Sequence, residues 1–406
     1  MKNWYRLALF NLIVLTLLGL ILRYKINFPL DFLEQKNLLH AHSHFAFNGW
    51  VSFLLQVLIL DHFSNCFKDA PKFWNRFFLV SSIINYGMII SFAWVGYAAI
   101  SIVLSTAALW LSYVFAYKLY KAIKKDKSES LSSLFVKAAL FFLVFSSLGP
   151  YALAIIIAMK SSHQYWYHNA LYFFLHFQYN GWFTFAVLAF FLHKTEGRVG
   201  FNYGAAKLFF WFLFISCFSA VLFTSLWHHR PLGVTVLIII SAFLQTITLV
   251  FLFRMSKNCG QGFKALPPIL KWLYSLALIA FVLKVLLQLF SVHPDIAQLA
   301  FGFRPIIIGY LHLIFLVFVS LALLGILAEK GVISPTPFSR WALIIFSGAV
   351  VVNEIFLGVQ GVASIYYYYL PHINILLFIN TFLLLTGAIL IYQSSAQINQ
   401  QPNYLK

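Results

Sequence analysis

Acid is what this sequence has least of. Ten Asp and Glu stand against 28 Lys and Arg over 406 residues, and charged residues make up 9% of a chain that is 62% hydrophobic. A soluble domain carries about 25% charged residues, so a water-facing surface over most of the chain is excluded. Cysteine is also scarce. Cys66, Cys217 and Cys259 form no C-x-x-C pair, no C-x-x-C-H haem attachment and no disulfide set. Any haem is therefore expected to be non-covalent. No loop is long enough to be a soluble electron-carrying domain. No small-x-small cleavage site follows the first apolar run, which reads as an uncleaved span behind Lys2 and Arg6.

Long apolar runs fill the space these absences leave. Twelve candidate spans lie near 7–23, 38–61, 76–96, 98–117, 134–158, 165–192, 205–227, 232–253, 268–291, 304–327, 341–364 and 371–392. Each has the length that a tilted helix needs to cross a bilayer, about 17–25 residues. A β-barrel would show short alternating strands instead. The expected fold is an all-α polytopic membrane protein, with residues 1–406 forming one transmembrane domain.

The net charge of +18 invites a nucleic-acid reading, and its placement argues against one. Basic residues gather in every second loop: Lys68, Lys72 and Arg76 after span 2, Lys118 to Lys127 after span 4, Lys194 and Arg198 after span 6, Arg254, Lys257 and Lys264 after span 8, Lys330 and Arg340 after span 10, while the other loops are short or poor in basic residues apart from Arg23, Lys25 and Lys36 before span 2. By the positive-inside rule both termini are cytoplasmic, as expected for a multi-pass protein of the cell's inner membrane. Anionic lipid is the contact this charge implies.

A repeat runs through the apolar pattern. "HSHFAFNGW" (42–50) and "FLHFQYNGW" (174–182) share H-F-x-[FY]-N-G-W, which places His44 and His176 132 residues apart. A further 136 residues on, His312 lies in "GYLHLIFLVF", without the N-G-W. A histidine in spans 2, 6 and 10 predicts three pseudo-symmetric four-helix units. The alternative is a duplicated packing motif in which each Asn-Gly serves as interhelical glue.

The chain holds 13 histidines, more than its acids. Imidazole at this density, without thiolate or clustered carboxylate, suits copper or haem iron. A structural zinc site would show closely spaced cysteines. A histidine proton relay would want acids along its path, and Glu354 is the acid clearly inside the bilayer, as a proton-route group or an Asn353-paired packing defect. In span 6 Tyr172 follows His168 by four residues, so both share a helix face. A phenol beside a metal-bound imidazole can donate a proton and an electron. "WHH" (227–229) adds two imidazoles at the end of span 7.

These residues resemble subunit I of the haem-copper oxidase superfamily, which includes the nitric oxide reductases. The resemblance covers the whole chain in span count and order of histidines. "QYWYHNALYFFL" (164–175) is similar to the sixth helix of the C-type oxidases, and "WHHRP" is similar to the family's His-His pair. The resemblance implies copper ligands at His168, His228 and His229, with Tyr172 as proton and electron donor. It implies axial ligands of a b-type haem at His312 and at His40 or His44. Helix ten of the family carries H-x-H, and here the first of these positions is Tyr310; a second haem would need Tyr310 as a phenolate ligand or another residue, and otherwise His312 ligates the only haem. The "HAH" opening and the chain length also resemble the NnrS family of haem-copper membrane proteins linked to nitric oxide stress.

The resemblance implies a respiratory electron-transport oxidoreductase. Electrons would arrive from a donor subunit or a quinol and pass through haem to a haem-copper centre that reduces oxygen or nitric oxide. The alternative is a non-catalytic, NnrS-like protein that binds or senses the diatomic gas. Nucleic acid is not an expected partner.

Overall fold

The computed structural model describes residues 1–125, 130–159, 164–198, 200–226, 231–257 and 260–396. Among them every regular element is helical. The chain is an all-α polytopic membrane protein. Among the described residues eleven helices are long and apolar enough to cross a bilayer: Lys2–Asn27, Gln35–His62, Pro71–Val95, Ala99–Lys125, Leu131–Ala158, Tyr203–Ser225, Leu232–Met255, Pro268–Phe290, Arg304–Glu329, Pro337–Ile365 and Ile373–Ser395.

Twelve spans are expected and eleven meet both criteria. The exception is span 6, an unbroken helical run over 164–195. Its first half carries His168, Asn169, His176, Gln178 and Asn180. These lower its mean hydropathy below that of the other runs. The polar half of span 6 is also the part that carries candidate site residues.

The chain divides into two compact units, 1–115 with 268–274 and 320–406, and 116–267 with 275–319. This division cuts across the expected three four-helix units, because span 10 contributes to both.

In the first unit, aromatic rings fill the core, with Phe53, Trp74, Phe78 and Phe115 fully buried. Buried amides stitch spans together where no water can reach. Asn11 Nδ2 donates to the Gly49 carbonyl (2.7 Å) and its Oδ1 accepts from Tyr86 Oη (2.6 Å). Trp50 Nε1 donates to Ser320 Oγ at 2.8 Å. In the second unit Phe142 packs on Phe177, Phe185, Phe214 and Phe218 at ring separations of 5.2–5.7 Å. The N–H groups of Leu131 and Ser132 that begin span 5 are met by the Glu196 carboxylate, which satisfies donors a helix leaves open at its start.

The repeat reappears in the backbone. Three spans widen into π-helix, at Phe45–Ser52, Phe177–Phe183 and Leu313–Ser320. Each segment begins on the residue after the repeat histidine, His44, His176 or His312. π-Helix is well under 1% of residues in globular proteins and favours functional sites. Six residues past each histidine stands a buried Trp50, Trp182 or Phe318, and eight past stands a buried Ser52, Thr184 or Ser320. The third copy lacks N-G-W yet shares the backbone form and these two buried positions.

The duplicated Asn-Gly is not interhelical glue through its Asn. Asn48 donates to the His44 carbonyl (3.3 Å) and Asn180 to the His176 ring (3.0 Å), both one turn back on the same helix. The glycines make room for rings. A Cβ at Gly181 would lie 2.4 Å from Phe142 Cβ, and one at Gly49 would lie 2.4 Å from the Phe45 ring.

Candidate functional site: the histidines of spans 2, 6 and 10

Three histidines crowd the start of span 2, and the helix sorts them. His42 faces span 1, where a Cβ on Gly19 would approach its Cε1 to 3.4 Å. His40 and His44, four residues apart, share the opposite face, as the 3.6-residue period requires. Both meet the aromatic end of span 3. His44 stacks on Phe92 at 4.2 Å and 12°, and its Nε2 lies 3.0 Å from Tyr97 Oη. His40 sits edge-on to Tyr97 at 4.7 Å, and its Nε2 is buried without a hydrogen-bond partner. A buried polar atom left unpaired in a native fold calls for an explanation, and a missing ligand is one. Tyr97 reaches this position through Gly96, whose φ is +62° and whose Cβ would collide with Asn37 Oδ1 at 2.3 Å. Sequence reasoning passed over Phe92 and Tyr97. A glycine just past the end of an apolar run, followed by an aromatic residue, is the signal that was there to use.

The second unit treats its two repeat histidines differently. His176 is closed by protein. Its Nδ1 accepts from Asn180 Nδ2 (3.0 Å), so Nε2 carries the proton and donates to the Cys217 carbonyl (2.8 Å). Both nitrogens are used, and the residue is buried. His312 has the other tautomer. Its Nδ1–H donates to the Ile308 carbonyl at 2.8 Å, which puts the ring's lone pair on Nε2. A backbone carbonyl holding one ring N–H is the usual second contact of a metal-ligating histidine.

Tyr310 lies two residues before His312, with Leu311 between them. Its hydroxyl is buried and close to that of Tyr179, yet it makes no well-formed hydrogen bond. The two rings meet edge-on at 6.4 Å. In span 6, His168 and Tyr172 stack at 5.9 Å and 21°, so the expected shared face is observed. Lys284 is buried at 3% exposure with Cys217 and His176 as its electrostatic neighbours. Nothing in the sequence pattern singled it out.

The donor chemistry can be tested residue by residue. His312 fits a haem iron by tautomer, and His40 fits by its unmet Nε2. His44 fits through a nitrogen it now shares with Tyr97, and Tyr310 fits as a buried phenol without a settled partner. His176 does not fit. Two of the three expected copper ligands, His228 and His229, lie outside the described residues. Among the described residues no three His, Cys, Asp or Glu side chains gather at metal-binding distance.

Fold and site together define a multi-spanning helical membrane protein in which hydrogen bonds fix the tautomers of the buried His176 and the half-buried His312. No protein-family model matches the chain, and no curated protein matches it.

Proposed function

We propose that this chain is a haem- and copper-binding membrane redox protein of the haem-copper oxidase type, passing electrons to a diatomic gas, oxygen or nitric oxide. The supporting observation is the threefold recurrence of a histidine followed at once by π-helix, in which His312 presents Nε2 as its lone-pair nitrogen. The wide π turn moves the side chains after the histidine off their α-helical faces, which lets a helix hold a ring while its neighbours pack close. The residues that would hold haem are His312 on span 10 and His40, or alternatively His44, on span 2. A non-covalent haem would supply one-electron chemistry and a binding point for the gas.

The protein's own part is to hold and to exclude. The Ile308 carbonyl fixes the His312 ring, and Phe92 and Tyr97 wall the span 2 histidines. His168, with His228 and His229, would hold copper, and Tyr172, stacked on His168, would offer a phenolic proton. Electrons come from a donor subunit or a quinol, and the basic loops support cytoplasmic termini in an inner membrane.

Tyr310 favours a second reading. A buried phenol stands where the resemblance calls for the histidine of the gas-binding haem. A protein with one haem, sensing or sequestering nitric oxide without turnover, would need no histidine there. Haem and copper assays with reduced-minus-oxidised spectra on the purified protein test both. Two haems per copper with gas consumption under a reductant supports the enzyme. One bis-histidine haem and no turnover supports the sensor. Absence of both haem and copper from protein made in their presence refutes both.

A further inference from the structure

Four span ends meet in the first unit: the start of Lys2–Asn27 and the ends of Gln35–His62, Arg304–Glu329 and Ile373–Ser395. They enclose a cavity of about 230 Å³ lined by Lys2, Tyr5, Arg6, Asp61, Lys330 and Ser395. That is below the range of about 300–1,000 Å³ for small-molecule and cofactor pockets, and it suits a head-group-sized ligand. Its charge is unbalanced. Asp61 is already engaged, accepting from Tyr5 Oη at 2.9 Å and pairing with Lys330 Nζ at 2.7 Å. No described carboxylate pairs with Lys2 or Arg6. Arg6 Nε is buried and has no hydrogen-bond partner.

We propose that this cavity is a binding site for one phosphate-bearing anion, held by Arg6 and Lys2 with Lys330 behind them. A guanidinium presents a planar fork that matches a phosphate's oxygens. The Asp61–Lys330–Tyr5 latch holds the ends of spans 1, 2 and 10 in place, so the cations are set before the ligand arrives. The surroundings favour a phospholipid over free phosphate. The Arg6 guanidinium sits 5.8 Å from the Tyr392 ring, and Phe10, one turn further along and exposed, packs on the same ring at 6.0 Å. An apolar strip thus leads from the cavity along the outside of span 1, the path an acyl chain would take. All four span ends lie on the side of the basic loops, where anionic lipid is concentrated.

The full-length protein, reconstituted in nanodiscs of phosphatidylcholine with or without phosphatidylglycerol, provides the test. Native mass spectrometry counts lipid retained after release. The wild type is expected to keep one phosphatidylglycerol per chain in preference to phosphatidylcholine. Arg6→Gln should retain it about tenfold less well, the loss of one charge-assisted bond. Lys2→Gln leaves the latch intact and should weaken retention in the same direction. Thermal stabilisation by inorganic phosphate in phosphatidylcholine discs, lost in Arg6→Gln, would assign the same site to free phosphate. Equal retention by wild type and both variants, or no preference for the anionic lipid or for phosphate, overturns the proposal.

Discussion

Replacing His176 by leucine separates a structural histidine from a ligand. The substitution keeps apolar bulk but leaves two buried groups unpaired, the Cys217 carbonyl and the Asn180 amide, which the ring now holds at 2.8 and 3.0 Å. An orphaned buried group costs about 1–3 kcal/mol. Interhelical hydrogen bonds in membranes average nearer about 0.6 kcal/mol, because the alternative state also finds partners. The loss should therefore fall near the low end of the sum, about 2 kcal/mol. Unfolding in detergent followed by tryptophan fluorescence reads it, with the pyridine haemochrome measuring haem per chain in the same sample. His176→Leu should unfold earlier and keep its haem. His176→Gln, whose amide can both donate to Cys217 and accept from Asn180, should recover part of the stability. A monodisperse His176→Leu protein that has lost haem would refute the assignment, since a residue with both nitrogens committed to protein cannot be the ligand.

Other outcomes follow from the same geometry. If the proposed haem is bound, His312→Ala should abolish its low-spin spectrum, and His40→Ala should do so more completely than His44→Ala; optical spectra of the three purified variants decide it. Gly181→Ala should destabilise by about 1–3 kcal/mol through the clash with Phe142, and adding Phe142→Leu should return part of that loss in the same unfolding assay. Trp50→Phe removes the bond to Ser320 and should cost about 1 kcal/mol; a double-mutant cycle with Ser320→Ala should show coupling, and additive effects would count against it. Copper content measured by elemental analysis should fall in His168→Ala while haem content stays.

The fold was legible because a bilayer imposes a simple rule: every backbone group must be satisfied within its own segment. Apolar runs of the right length could only be helices, and the helices end within a few residues of the expected boundaries in most cases. Span 6 was legible as a helix, while its dilute hydropathy marked the polar half that holds His168 and His176. The repeat was legible in its first two copies through N-G-W. The third rested on position until the π segment at Leu313–Ser320 joined it to the others.

What each histidine does was not in the spacing. Sequence placed His44, His176 and His312 as equivalents, and tertiary contacts made them unlike. Asn180 and Cys217 close the His176 ring, Ile308 aims the His312 lone pair onto Nε2, and Tyr97 bonds His44 while His40 keeps an unmet nitrogen. Phe92, Tyr97 and Lys284 entered only through packing, because no periodicity reports which side chain from another span will face a given ring. The sequence by itself determined that this chain lives in a membrane as helices, since hydrophobicity and length are properties of each segment alone. The tertiary structure decided which ring nitrogens are engaged by protein, since a tautomer is set by the atom on the far side of the ring.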